Sequence, residues 1–445
     1  MKMKIQLSDH FTYKMLLRFV LPSIIMMVFT SIYGVVDGLF VSNFVGKTPF
    51  AAVNLVMPFI MVFGGIGFMF GTGGSALVAK TMGEGDKHRA NQYFTMMIAA
   101  TLICGVIIST LGVIFMEPIS VFLGADAEML PDCVLYGRIV LAFNTAYMLQ
   151  NVFQSFLIAA EKPKLGLWVT VAAGVTNMAL DALFMAVFHW GVAGAAIATG
   201  ISQIVGGVLP LVYFLRPNSS LLRLSPTRLR LRPILAACGN GSSELMSNIS
   251  SSLVSMLYNF QLMRLAGEDG VSAYGVLMYV QFIFISIYIG YSIGCAPVVS
   301  YHFGAQNHRE LKNLLGKSVL LMGGTGVALT ALAMALADPL SRLFVGYDAG
   351  LFALTSHAFR LFAWSFLLAG FNIYTSGFFT ALNNGGVSAA ISFLRTLVFQ
   401  SASVLILPIF FDVDGIWWAI TVAEVFAFLI SVLFLLAKRG KYHYM

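Results

Sequence analysis

Twelve stretches of this chain run apolar for about the ~20 residues an α-helix needs to cross the hydrocarbon core of a bilayer. They fall at 15–41, 52–79, 93–115, 134–159, 165–187, 192–215, 233–263, 273–299, 314–336, 352–380, 387–410 and 415–437. Lipid offers no water to a backbone amide, so a spanning segment must close its own hydrogen bonds. The expectation is an all-α membrane protein of twelve transmembrane helices. Only 10% of residues are charged and 59% are hydrophobic, against about 25% charged in soluble domains. The longest polar stretch is the Arg-rich link near 216–232, which leaves no room for a soluble domain. The first run is too long for a cleaved signal peptide and lacks a clear small-residue cleavage site. Cys104, Cys133, Cys238 and Cys295 show no paired spacing, so neither disulfides nor a metal site is expected.

Laying residue i over residue i+221 without gaps pairs Gly46 with Gly267, Ala52 with Ala273 and Met57 with Met278. The ladder continues through Gly73/Gly294, Gly83/Gly304, Gly105/Gly326, Pro118/Pro339, Asn151/Asn372, Gly194/Gly415 and Ala198/Ala419. Glycine is common here, at 42 residues, so the register held from 46 to 198 matters more than any one rung. Six runs precede the polar link and six follow it. The expected organisation is an N-terminal six-helix lobe (1–216), a cytoplasmic linker (217–232) and a C-terminal six-helix lobe (233–445). Both lobes start from the same side, so they are related by an axis along the membrane normal, with a cavity between them. Internal repeats of this kind mark transporters in which one half rocks against the other.

The net charge of +7 is set by topology. Numbering the connections alternately inside and outside places 20 of the 26 Lys and Arg inside. These include Lys2, Lys4, Lys14, Arg18, the 80–89 turn, Lys162, Lys164 and the 216–232 link. The outer connections carry Lys47, Arg138, Arg264, Arg342 and Arg360 against ten acids, among them Glu117, Asp126, Glu268, Asp338 and Asp412. That is the positive-inside bias, with both termini in the cytoplasm. No nucleic-acid partner is implied. Phe (38) and Met (23) are abundant. Most serve lipid contact and packing, with a minority available to line an adaptable cavity.

Two motif-like strings carry no chemistry. Gly316-Lys317-Ser318 resembles the end of a phosphate-binding loop, but Leu311 stands where that loop needs glycine. Gly71-Thr72-Gly73 lies inside an apolar run with no strand before it, where small residues let helices approach closely. Without a nucleotide site, energy must come from an ion gradient or a partner.

Acids within a membrane span are costly and mark ion paths. Four stand within the runs: Asp37, Asp181, Glu244 and Glu424. Glu244 and Glu424 lie near run ends, where hydration also permits a structural role. Asn177 and Asp181 are spaced i, i+4 and share a face of the fifth run, as Tyr33 and Asp37 do on the first. Asn151 on the fourth run and Thr199 on the sixth would join them if the four helices form one bundle. Two close carboxylates need a shared proton or a bound cation; Asp37, Asn177, Asp181 and Thr199 offer oxygens for Na⁺. The alternative is an interhelical hydrogen-bond network. At the same offset Asp37 becomes Tyr258, Asn177 Val398, Asp181 Ala402, Thr199 Ile420 and Tyr33 Val254, while Asn151 persists as Asn372. The scaffold is duplicated and the polar constellation is not. Arg395 in the second half either pairs with Glu424 or lines the cavity, and Pro22 should bend the first helix.

Taken with the cytoplasmic turns Met82-Gly83-Glu84-Gly85-Asp86 and Phe303-Gly304-Ala305-Gln306-Asn307, and with Pro408 through Gly415-Ile416-Trp417, the chain resembles the multidrug and toxic compound extrusion (MATE) family, in its bacterial MepA-like branch. The likeness covers essentially the whole chain. It implies the MATE/MOP-type fold of two pseudo-symmetric six-helix bundles and no enzymatic activity or cofactor. It also implies an antiporter that expels cationic amphipathic compounds for H⁺ or Na⁺, in a bacterial cytoplasmic membrane and as a monomer. Asp37, Asn177, Asp181 and Thr199 match positions that couple the ion in related members; relatives using C-terminal acids have no match here, where Tyr258 and Asn372 stand. Candidate cavity residues are Arg395, Asn372, Glu244 and Tyr258. Two other functions remain open: a lipid-linked glycan flippase, which would want several cations along its cavity, and an intramembrane enzyme using the acid pair.

Overall fold

The computed structural model describes residues 5–445; Lys2, Lys4 and the side chain of Lys47, counted above among the basic residues, lie outside the described residues. Nine helices of the described chain are long and apolar enough to cross a membrane. Numbered by crossing, they begin with α1 (Tyr13–Phe44), α2 (Lys47–Gly83) and α3 (Lys87–Phe122). A further crossing, α4, is built from two shorter helices, Leu130–Ala142 and Asn144–Ala159, that abut at Phe143. Next come α5 (Pro163–Val187) and α6 (Gly191–Leu215). Leu231–Gly304 holds α7 and α8, which part at Gly267. Then follow α9 (His308–Val345) and α10 (Ala349–Ala381), and Gly385–Tyr442 holds α11 and α12, which part at Asp412. All twelve expected crossings are present. They overshoot the apolar runs because a helix of 32 residues such as α1 is about 48 Å long at ~1.5 Å per residue, longer than the ~30 Å hydrocarbon core. α1 continues through Pro22 without a break.

The backbone keeps the 221-residue register where side chains have lost it. Left-handed residues occur in pairs at that offset: Gly46 and Gly267 (φ 88° and 63°), Gly85 and Gln306 (90° and 55°), Gly191 and Asp412 (56° and 47°). Each lies at a reversal between consecutive crossings and takes a positive φ there, which glycine adopts at little cost, so the Gly46/Gly267 rung serves a conformational need. The caps repeat too: Asp86 accepts from the Arg89 amide at 2.9 Å and Asn307 from the Glu310 amide at 3.1 Å, each closing an orphan donor of a helix start. The break in α4 at Phe143 recurs in α10 as a short 3₁₀ turn, Ala363–Ser365.

The two halves meet through α1 and α2 on one side and α7 and α8 on the other, and glycine sets how closely. A Cβ on Gly73 of α2 would fall 2.6 Å from the Gly241 amide of α7, and one on Gly83 would fall 2.9 Å from the Ala305 amide beyond α8. Symmetrically, Gly290 and Gly294 of α8 lie against Ser23 and Ile24, and Val20 and Ser23, of α1. All these contacts lie toward the end of the bundle that holds the described N- and C-terminal segments. The last on α7 is at Asn248, which meets Gly65 of α2. Beyond it the same face of α7 is uncovered: Ser252 is half-buried, and Met256, Asn259 and Met263 are exposed. On α2, Met61 and Asn54 are likewise exposed. The halves therefore close at the terminal end and diverge toward the other, leaving a cleft between them. Gly73→Val should wedge the closure apart. A cysteine placed at Asn248, with the native cysteines replaced, should then be alkylated several-fold faster from the terminal end; an unchanged rate would mean that Gly73 does not hold the closure.

Candidate functional site

Gly174 determines where α5 meets α1. A Cβ there would fall 2.8 Å from the Tyr33 ring, so only the bare backbone lets Tyr33 lie against α5. The two helices run parallel, and one turn further along each brings Asp37 to Asn177 and Asp181, in polar contact with both. Asp181 is fully buried, Asn177 is 2% exposed and Asp37 is half-buried. Asp181 closes the α-helical part of α5, and the next six residues, Ala182–Val187, form a π-helical turn. Such turns are rare and concentrate at functional sites.

The chemistry of this cluster lies in what it lacks. Asp37 Oδ1, Asn177 Oδ1 and both carboxylate oxygens of Asp181 are buried and accept no hydrogen bond from any described residue. All four are acceptors, and no described Lys or Arg pairs with either acid. Two ionised carboxylates about 4 Å apart repel by about 4 kcal/mol at an effective dielectric of about 20. Desolvation adds several kcal/mol per ion. A proton between the carboxyls or a cation among the oxygens would relieve both.

Around the acids stands a ring of neutral polar groups. Tyr33 lies in polar contact with Gln150, and Tyr147 with Asn151, both on α4. Tyr136, on the first helix of α4, donates its hydroxyl to Met57 Sδ of α2 at 3.6 Å. Asn151 donates to the Gly64 carbonyl at 3.2 Å, which ties α4 to α2. Thr199 is on α6 and half-buried. Its carbonyl accepts from Ser202 Oγ at 2.7 Å, and its hydroxyl makes no hydrogen bond to either acid among the described residues. The structure thus joins Asp37, Asn177 and Asp181, places Tyr33 one turn away, and leaves Thr199 and Asn151 in separate contacts. Sequence reasoning missed Gln150, Tyr147 and Tyr136; the i, i+4 spacing of Tyr147 and Asn151 within an apolar run was the available signal.

The second half solves its charge problem internally. Arg395 grips Glu424 in a fork, with Nε at 2.9 and 3.0 Å from the two oxygens and Nη2 at 2.6 Å. Asn372 donates to Glu424 Oε2 at 2.7 Å and to the Glu424 carbonyl at 3.0 Å. Glu424 is 1% exposed and Asn372 fully buried. Arg395 is the second residue of another π-helical turn, Leu394–Phe399, in the crossing equivalent to α5. Of the two readings of Arg395, the geometry realises pairing. Asn372 belongs to the same network and faces no open cavity. Tyr258, also named for the cavity, is 2% exposed and stacks on Tyr274 with centroids 4.9 Å apart; it turns into its own half because it lies on the face of α7 opposite the cleft. Glu244 stands on α7 between Gly241 and Asn248, both of which face α2. It is half-buried at the closed end of the cleft, and no described cation pairs with it.

The MatE family model matches residues 22–183 and, a second time, residues 245–403, once in each half. The chain is 24% identical to the multidrug export protein MepA of Staphylococcus saprophyticus over 443 residues, covering 96% of this chain and 94% of that protein. It is 22% identical to MepA of Staphylococcus aureus strain MRSA252 over 435 residues, with the same coverage. Among solved structures, a MATE transporter in complex with MaL6 superposes with a TM-score of 0.93 at 22% identity, over 100% of both chains. An outward-facing multidrug resistance MATE transporter of the MOP superfamily gives 0.92 at 23% identity, over 97% of both. Since the family model covers most of both halves and the fold agrees along the whole length, this chain belongs to the MATE family of membrane transporters.

Proposed function

We propose that the protein exports cationic amphipathic compounds by alternating access, in exchange for H⁺ or Na⁺ bound at Asp37, Asn177 and Asp181 of the first half. The observation that carries this reading is the set of four buried acceptor oxygens that find no donor among the described residues, with no described Lys or Arg paired to either acid. An ion entering there neutralises a charge the fold itself leaves unpaired, which gives the gradient something to act on. The cargo follows from the same ledger. The one described cation deep in a crossing, Arg395, is neutralised by Glu424, so the unpaired charges facing the interior are the acids Asp37, Asp181 and Glu244. Such an interior favours cations and offers no free guanidinium for the pyrophosphate of a lipid-linked glycan. The MepA relatives are named multidrug export proteins, which supports export as the direction of transport.

The positive-inside bias supports placing the closed, terminal end in the cytoplasm of a bacterial cell, with the cleft open outward. The lobes are then 1–216 and 233–445, joined by a cytoplasmic linker. The decisive experiment uses inverted vesicles that take up a fluorescent organic cation from the bath under separately imposed H⁺ and Na⁺ gradients. Transport should respond to at least one gradient; indifference to both would remove ion coupling from the mechanism.

A further inference from the structure

The segment before α1 is anchored to both halves. Within residues 5–12, the Leu7 amide donates to Glu161 Oε1 at 2.9 Å, at the turn between α4 and α5 of the first half. Four residues on, the chain is held by α9 of the second half. The Phe11 amide donates to Glu310 Oε1 at 2.9 Å, His10 Nδ1 lies 2.6 Å from Glu310 Oε2, and the Phe11 carbonyl accepts from Asn313 Nδ2 at 3.0 Å and Lys317 Nζ at 2.6 Å. Glu310, Asn313 and Lys317, spaced i, i+3, i+7, form one stripe on the first three turns of α9. Leu7 and Phe11 are both fully buried, an unusual depth for a segment with no regular structure, and Phe11 packs edge-on against Phe19 of α1 at 5.8 Å.

The link before α7 is tied down in the mirrored way. The Arg223 amide donates to Asn91 Oδ1 and the Ser225 amide to Thr95 Oγ1, both at 2.9 Å, on α3 of the first half. At the 221-residue offset Asn91 and Thr95 correspond to Lys312 and Gly316, on the same turns of α9 that hold Phe11. Each half is thus preceded by a strap that crosses to the third helix of the other. Chain continuity obliges the linker to cross between halves; nothing covalent obliges residues 5–12 to do so.

We propose that residues 5–12 are a releasable clasp, fastening the two halves at the closed end and setting how readily the cleft opens there. The inference rests on the alternating-access reading of the protein. Opening that end must separate Glu161 from Glu310. The four steps from Leu7 to Phe11 reach at most about 14 Å when fully extended, and here they are folded into a turn closed by Asp9 N→Gln6 O at 3.2 Å. The α9 anchor is the part that lets go, because the Leu7 anchor lies in the same half as α1 and moves with it.

The test uses full-length protein with its four cysteines replaced, in proteoliposomes. Cysteines placed at His10 and Asn313 are joined by a short thiol-specific cross-linker cleavable with reductant. Cross-linking should slow turnover at least tenfold, and reductant should restore it; turnover unchanged in fully cross-linked protein would overturn the clasp. Separately, Glu310→Gln should raise alkylation of a cysteine at Asn248 from the terminal end at least threefold, with the thermal transition retained. No increase in a folded variant would equally overturn it. The alkylation readout requires neither substrate nor coupling ion, so it separates failure of the clasp from failure of the proposed transport.

Discussion

Asp181→Asn is expected to abolish the response of efflux to an imposed gradient, by a factor of ten or more, while leaving the protein folded. Asn has the volume of Asp but cannot exchange a charge, so the variant stays fixed in a neutral form. A tenfold loss corresponds to about 1.4 kcal/mol, a small share of what separates an ionised from a neutral carboxyl at a buried site. Stability should hold or rise, because an acid whose oxygens have no donor is removed from a site where burial works against it. Asp37→Asn should behave alike, since in the proposed coupling Asp37 would share the proton or cation with Asp181. The measurement is cation uptake into inverted vesicles, which reads cellular efflux, beside a thermal melt in detergent. Wild-type gradient response in either variant would take that residue out of the coupling step.

Glu424→Ala should produce the largest loss of stability, because it leaves the Arg395 guanidinium buried with no anion. Removing one partner of a buried ion pair costs about 3–5 kcal/mol, whereas replacing the pair with apolar residues of similar volume is often neutral or stabilising. The double variant Arg395→Met with Glu424→Leu should therefore recover most of what the single change loses, although Asn372 must then give up its bond to Glu424 Oε2. A double-mutant cycle on thermal stability isolates the coupling. If the double variant were no more stable than Glu424→Ala, the pair would be needed for more than mutual neutralisation.

The two predictions differ in kind because the two halves differ in charge balance, and that difference was only half readable in the sequence. The spacing of Asn177 and Asp181 on one helical face, and the failure of the repeat at Asp37, Asn177, Asp181 and Thr199, pointed to the first half. Which members of that set would touch was not readable: Thr199 was grouped with the acids by position, and its hydroxyl bonds to neither. In the second half Arg395, Asn372 and Tyr258 were candidates for the cavity wall. Arg395 and Asn372 instead belong to a closed network around Glu424, and Tyr258 faces inward. A helical face is periodic in the sequence, but which neighbour it meets depends on helices 29 to 52 residues away in the chain.

The sequence by itself determined the number of crossings, their order, and the register of the duplication. Those follow from local physics: each crossing closes its own backbone hydrogen bonds within a few residues, and lipid penalises any segment that does not. Even the glycines of the ladder acted locally at Gly46 and Gly267, where a positive φ turns the chain. Only the tertiary structure decided that Gly73, Gly83, Gly290 and Gly294 close the halves at the terminal end, that Asp37 Oδ1 and both Asp181 carboxylate oxygens find no donor among the described residues, and that the other half pairs Glu424 with Arg395. Those outcomes depend on how near helix backbones come to one another, and small residues allow that approach without specifying the partner.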